Sequence, residues 1–424
     1  MQRHRSDRQS FEKIRSMGPV KIWAMAKTLV ALVVSAALAS PTLLAGCGTS
    51  GDQEPVVQDP TQHELQMASA SNEFGFSLFQ ELVATEDDPN VFISPLSVSL
   101  ALGMTYNGAN GTTAQEMQSV LGYDNLTLQQ INQAYLGLMT QLTQMDPKVQ
   151  MEIANSIWYR QGYEVLPDFI QRNETYFGAQ VQELDFSAPD AASTINDWVA
   201  ASTHDKITEI VDDPIDPTMV MFLINAVYFK GTWTIQFDPD ETFDSAFTTS
   251  SGSTAQVPMM HLHEDLYCLD STDFKAVDLA YGDGLFRMAI FLPKPGVDID
   301  TLVEKFSSSQ WDAWMAQFSE QEAELHLPRF ELEYEKSLVE TLQALGMTAA
   351  FTAAADFTGI NPMATLAISD VKHKTYVKVN EEGTEAAAAT AVEIVGTSVA
   401  SYFAMFFNRP FLIVIHDVQT QTMM

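Results

Sequence analysis

From Val371 to Val379 the side chains alternate: Val371, His373, Thr375, Val377 and Val379 fall in one phase, and Lys372, Lys374, Tyr376 and Lys378 in the other. Period two over nine residues predicts a strand with one wet face. Upstream, "MVMFLINAVYF" from Met219 carries one polar residue, Asn225, inside a strand-length apolar run. In "ELHLPRFELEY" the apolar positions are Leu325 and Leu327, then Phe330, Leu332 and Tyr334, so the phase slips by one at Pro328 and predicts a bulge or bend. Helical signals lie between these runs. Ser94-Pro95 reads as an N-cap followed by proline at the first helical position, opening a helix that ends near Gly108. Its small residues Ser97, Ala101 and Gly103 predict burial on several sides. Strands and helices do not alternate regularly, which points to an α+β class with antiparallel-rich sheets.

The ends of the chain are patterned differently. Arg3, Arg5, Arg8, Lys13, Arg15, Lys21 and Lys27 precede an apolar stretch from Thr28 to Ala45, which stops at Leu44-Ala45-Gly46-Cys47. This is the layout of a secretory signal, with Met17 and Met25 as further candidate starts, and its last four residues resemble a bacterial lipobox in which Cys47 receives lipid. An uncleaved anchor is the alternative, since eighteen apolar-biased residues nearly span a bilayer. Residues 1–46 are therefore read as a lipoprotein signal peptide and 47–64, rich in Gly, Asp, Gln, Pro and Thr, as a flexible tether. Residues 65–424 show no repeat or second linker and are read as one domain. The expected location is extracytoplasmic, on the cell membrane or outer membrane through the lipid, or released from it.

The formal charge is −33, and residues 1–46 hold seven of the 22 basic and two of the 55 acidic residues, leaving the remainder near −38. Such a surface excludes nucleic acid as a partner. With Cys47 committed to lipid, Cys268 has no intramolecular partner, so disulfides do not hold the fold, and its bland reading is a small core residue.

Enzyme motifs are approached but not completed. "HEDLY", His263 to Tyr267, begins like a zinc-protease pattern but has Tyr267 where the second histidine belongs. His261 and His263, two apart, share a face on a strand, and with Glu264 they define a metal-hydrolase alternative. "GTSVA", Gly396 to Ala400, falls one residue short of the nucleophile elbow, and the sequel "SYFAMFFNRPF" does not read as the helix that the elbow requires. No phosphate loop, dinucleotide fingerprint or cysteine–histidine zinc pattern occurs; no cofactor and no enzymatic activity are expected.

Seven segments, in order, carry a resemblance: "FISPLSVSLALGMTYNGANGTTAQEM", "INDWVAASTHDKITEIV", "LINAVYFKGTWTIQF", "MAIFLPKPG", "LPRFELEYEKSLVETLQALGM", "YVKVNEEGTEAAAAT" and "FNRPFLIVIHD". Over roughly Leu65 to Asp417 the chain resembles a serpin. The resemblance implies three β-sheets, eight or nine helices and an exposed reactive loop, here about 381–402. It also implies a monomer that inhibits a protease as a suicide substrate: the protease cuts the loop, is held as an acyl-enzyme, and is carried away as the loop inserts into the large sheet. At about 3.3 Å per residue, a fourteen-residue insertion moves the cut end by about 45 Å.

Insertion constrains the loop "VNEEGTEAAAATAVEIVGTSVAS", Val379 to Ser401. The hinge is Glu381, Glu382, Gly383, Thr384, Glu385, Ala386, Ala387, Ala388, Ala389 and Thr390, with Glu381 and Glu382 ending the preceding strand and Gly383 as pivot. From Thr384 the even positions to Gly396 are uncharged, whereas Glu385 and Glu393 are odd; with the even face inward, no charge is buried. A helical loop before cleavage remains an alternative, because both glutamates also lie within about 80° on a helix. The resemblance assigns Ser94, Ser97, Asn225 and His373 to a polar cluster beneath the sheet opening and Trp233 to the junction of loop and sheet. It sets the scissile bond at Thr397–Ser398, with Ser398–Val399 and Val399–Ala400 as alternates. Since none of these presents Arg or Lys, an elastase-like or subtilisin-like target is expected, with a papain-like cysteine protease second. A non-inhibitory binding or carrier protein is the alternative from another class.

Two features depart from the family pattern. After "FLIVIHD" only Val418 to Met424 remains, so the buried return strand of the family is expected to be truncated. Asp205 stands where glycine commonly precedes the lysine matched by Lys206.

Overall fold

The protein was analysed as a computed structural model, which describes residues 59–86, 90–384 and 403–424. The expected signal peptide, lipidation at Cys47, the hinge from Glu385 to Thr390 and the bond at Thr397, Ser398 or Val399 lie outside the described residues. Helices α1 (Gln62–Thr85), α2 (Pro95–Tyr106), α3 (Gly111–Val120) and α4 (Leu128–Gln144) come first. Then follow β1 (Val149–Arg160), α5 (Pro167–Phe177), β2 (Gln180–Leu184), α6 (Ala191–Ser202) and β3 (Met221–Thr232). The middle is strand-rich, with β4 (Phe243–Thr248), β5 (Thr254–Asp270), β6 (Phe274–Tyr281) and β7 (Phe286–Pro293). Next come α7 (Ile299–Val303), α8 (Ser308–Met315), β8 (Ser319–Pro328), β9 (Phe330–Ser337) and α9 (Val339–Ala344). Strands β10 (Lys372–Val379), β11 (Gly383–Thr384), β12 (Phe403–Phe406) and β13 (Leu412–Asp417) complete the order.

The strands form a six-stranded sheet, β2-β1-β3-β11-β10-β9, and a seven-stranded one, β12-β8-β5-β6-β7-β13 with β4 on β5. The three expected sheets appear as two hydrogen-bonded networks because β5, seventeen residues long, is shared. Its first part pairs with β4, its middle and later part with β8, and its last residues with β6. The phase slip at Pro328 marks more than a bulge: β8 lies in one sheet and β9 in the other, so the chain changes sheets at Arg329. Antiparallel pairing dominates, as expected, with β1–β2 and β12–β8 parallel.

Burial explains the remaining patterns. Strand β10 buries His373, Thr375, Val377 and Val379 and leaves the lysine face at the surface. Helix α2 is capped by the Ser94 hydroxyl, which accepts from the Ser97 amide, and buries residues around its whole circumference. The first helix begins inside the segment read as a tether: Thr61, at the N-cap, and Glu64, in the first turn, form a capping box. Cys268 is a buried thiol whose pKa burial pushes up to about 12, in keeping with a core residue. Asp205 adopts φ +61°, in the left-handed region, which accounts for the glycine common at this position in the family. Asp205→Gly is expected to add about 0.5 kcal/mol, the relief of a left-handed non-glycine less the entropy of the glycine; thermal unfolding checks it, and a lower midpoint would contradict this account.

The C-terminal residues are ordered by one carboxylate. Buried Asp417 accepts from the amides of Gln419 (2.8 Å), Thr420 (2.6 Å) and Thr422 (2.8 Å) and from the Thr420 hydroxyl. The turn brings Met423 opposite His416, and the Met424 amide donates to the Ile415 carbonyl. The chain thus contains the turn and the first rung of a return pairing, with both methionines buried.

Candidate functional site

The junction of β10, β11 and β3 is built around the turn Asn380 to Gly383. The Asn380 side-chain carbonyl accepts from the amides of Glu382 (3.1 Å) and Gly383 (3.2 Å). Strand β10 ends at Val379, so Glu381 and Glu382 belong to this turn rather than to the strand expected before them. Trp233 fixes the turn from the other side: its indole N–H donates to the Asn380 carbonyl (2.9 Å), its amide to that of Glu382 (2.8 Å), and its ring stacks on Tyr281 at 4.3 Å. Trp233 therefore sits where the turn after β10 meets β3. Gly383 has φ +152°, and a Cβ there would lie 2.0 Å from the Gly231 carbonyl oxygen; only glycine fits.

Glu381 is held almost out of solvent. Arg329 Nε donates to both of its carboxylate oxygens at 2.6 Å, and the Thr242 hydroxyl donates to one of them. Burial raises its pKa, but the guanidinium and the hydroxyl outweigh burial and hold the carboxyl below its usual range. Arg329 is the residue at which the chain crosses between sheets, so this pair ties the hinge to the crossing.

Strand β11 wedges between β3 and β10. Gly383 and Thr384 face Thr232 and Gly231 on one side, and Thr384 faces Val379 on the other. Thr384 is buried, and its hydroxyl lies 2.7 Å from that of Tyr281. Below Thr384, β3 and β10 show no pairing with each other among the described residues. The space there opens into a cavity of about 690 Å³, lined on the β3 side by Asn225, Val227 and Phe229 and on the β10 side by His373, Thr375 and Val377. A strand-wide slot with β11 seated at its head is the central feature of this sheet.

The polar residues assigned to the opening all line the cavity, but they form two groups. The Ser94 amide donates to His373 Nε2 at 3.0 Å, and the Ser94 hydroxyl accepts from the Ser97 amide at 3.2 Å. Burial lowers the His373 pKa to about 4, so the imidazole is neutral and accepts at Nε2. Asn225 stands across the cavity: its amide donates to Asn155 Oδ1 (2.9 Å) on β1, and Asn155 donates to the Phe177 carbonyl (2.7 Å). Asn155, Arg329, Asn380, Tyr281 and Thr375, whose hydroxyl donates to the Phe92 carbonyl at 2.6 Å, escape the sequence reading. Thr375 shares the phase of His373 and Asn155 interrupts an apolar run, so a signal existed for both.

Among the described residues, His261, His263 and Glu264 do not form the helical zinc-protease arrangement. "HEDLY" lies on strand β5 rather than on a helix, and His263 faces Glu322 at 3.3 Å.

A family model described as "Serpin (serine protease inhibitor)" matches residues 69–424. The chain belongs to the serpin family. Human neuroserpin is 32% identical to this serpin over 358 residues, covering 82% of this chain and 87% of that protein. The native structure of tengpin, a thermophilic serpin, superposes with a TM-score of 0.78 at 30% identity, covering 87% of this chain and 94% of its own. Human thyroxine-binding globulin in complex with its ligand gives 0.78 at 28% identity, with 85% and 97% covered.

Proposed function

We propose that this serpin is a suicide-substrate inhibitor of an elastase-like or subtilisin-like protease outside the cytoplasm. The observation that supports this is the slot: β11 already occupies its head, and continuing the same register leads the rest of the hinge down it. Ala386 then falls between Phe229 and Val377, Ala388 between Val227 and Thr375, and Thr390 between Asn225 and His373. On insertion in this register the even positions would share the inward face of Thr384, and Glu385 and Glu393 would point away from the core. The protease serine attacks the Thr397 carbonyl, the Ser398 amine leaves, and the ester persists because insertion carries the attached enzyme away and distorts its catalytic site before deacylation. A papain-like thiol would form the corresponding thioester. The lipobox-like Leu44-Ala45-Gly46-Cys47 supports a lipid anchor that holds the inhibitor at a membrane surface.

The likeness to thyroxine-binding globulin motivates a second reading as a carrier, and one experiment separates the two. Incubation with elastase- and subtilisin-type proteases is expected to give a complex that survives denaturing electrophoresis, with cleavage at Thr397–Ser398 or the next two bonds. The cleaved form is expected to melt at a higher temperature. Cleavage without complex and without that rise would sink the inhibitor reading and leave the carrier.

A further inference from the structure

Away from the slot, β5 and β8 bring two histidines face to face. His261 and His326 are directly opposed across the strands, their rings stacked at 4.8 Å and 18°, and Glu324 lies two residues from His326 on the same face. Glu324 Oε1 is 3.2 Å from His326 Nε2 and 3.8 Å from His261 Nε2. One ligand atom from each residue lies within 4.8 Å of the other two. The other nitrogen of His261, Nδ1, lies 2.8 Å from Glu241 Oε2, while its Nε2 is buried with no hydrogen-bond partner among the described residues.

We infer that His261, His326 and Glu324 form a binding site for a divalent transition cation of the zinc class. Two imidazole nitrogens and a carboxylate oxygen are the donor set that such ions take, with a fourth position left for water. Tetrahedral zinc needs ligand atoms about 3.3 Å apart, so side-chain rotations that close separations of up to 4.8 Å by about 1.5 Å complete the arrangement. Glu241 supplies the carboxylate that orients a metal-binding imidazole from its far nitrogen and fixes which nitrogen faces the ion. The three side chains are 13 to 28% exposed, so the cluster lies close to solvent. His263 is not a ligand in this arrangement: it pairs with Glu322, whereas the partner of His261 comes from a strand more than sixty residues away. A bound ion would clamp β5 to β8 beside β12, where Phe406 stacks on His326 at 4.5 Å.

Zinc titration of the full chain at neutral pH, read by calorimetry, is expected to show one saturable site. Cobalt substituted for zinc is expected to give the visible absorption of a four-coordinate ion, and zinc to raise the melting temperature. His261→Gln and His326→Gln should each weaken binding by at least about tenfold, and Glu241→Gln by about tenfold to a hundredfold; His263→Gln should leave it unchanged. Absence of saturable binding in the wild-type chain overturns the site, as does undiminished affinity in both His261→Gln and His326→Gln. Loss of binding in His263→Gln alone overturns the ligand set.

Discussion

Thr384→Arg is expected to turn this serpin from inhibitor into substrate. Thr384 is 3% exposed, enclosed by Gly231, Val379 and Tyr281, and a guanidinium there has no acidic partner among the residues paired with it. Burying an unpaired charge costs several kcal/mol. Insertion of the cut loop competes with hydrolysis of the acyl-enzyme, and each 1.4 kcal/mol or so added to the insertion barrier shifts that competition about tenfold. The number of inhibitor molecules consumed per protease trapped should therefore rise by about tenfold or more. Because Thr384 already belongs to the folded sheet, Ala388→Arg provides the cleaner test, placing the charge between Val227 and Thr375 only after insertion. Ala387→Arg, in the opposite phase, should change the stoichiometry little. Equal effects at positions 387 and 388, or none at 384 and 388, would contradict the register.

What the sequence made legible follows from range. The alternation of β10, the cap of α2 and the apolar run of β3 are written in neighbouring residues, and their structures follow. The slip at Pro328 was visible as a change of phase, but not as a change of sheet, because which partner a strand finds is decided by residues elsewhere. Family resemblance brought Ser94, Ser97, Asn225, His373 and Trp233 to one region. It did not show that Asn225 bonds Asn155 on its own side of the slot while His373 bonds Ser94 on the other. Arg329 and Glu381 are 52 residues apart, and no local pattern links them. The same holds for His261 and His326: their neighbours in sequence pointed to a His261–His263 pair, whereas the strand register set the partner across the sheet. The slot was least legible, since it consists of pairing that β3 and β10 do not make.

The separation of the two polar groups also sets how this serpin should respond to acid. His373 titrates near 6.5 when unfolded, but in the fold burial lowers its pKa to about 4. Between those values the unfolded chain binds a proton at this site that the folded chain does not, so stability falls as pH drops from about 6.5 to 4. A protonated Nε2 would also point a donor at the Ser94 amide, which already donates to it, close to the positive N-terminal end of α2. The site's share of the loss is roughly 3 kcal/mol, absent above pH 6.5 and complete below 4. His373→Gln keeps an acceptor for the Ser94 amide but does not titrate. Denaturant unfolding across this range should therefore show a shallower fall in the variant, the difference between the two proteins amounting to roughly that 3 kcal/mol. Parallel pH profiles would mean that folded His373 takes up its proton over the same range as in the unfolded chain, and that burial does not hold it neutral against acid.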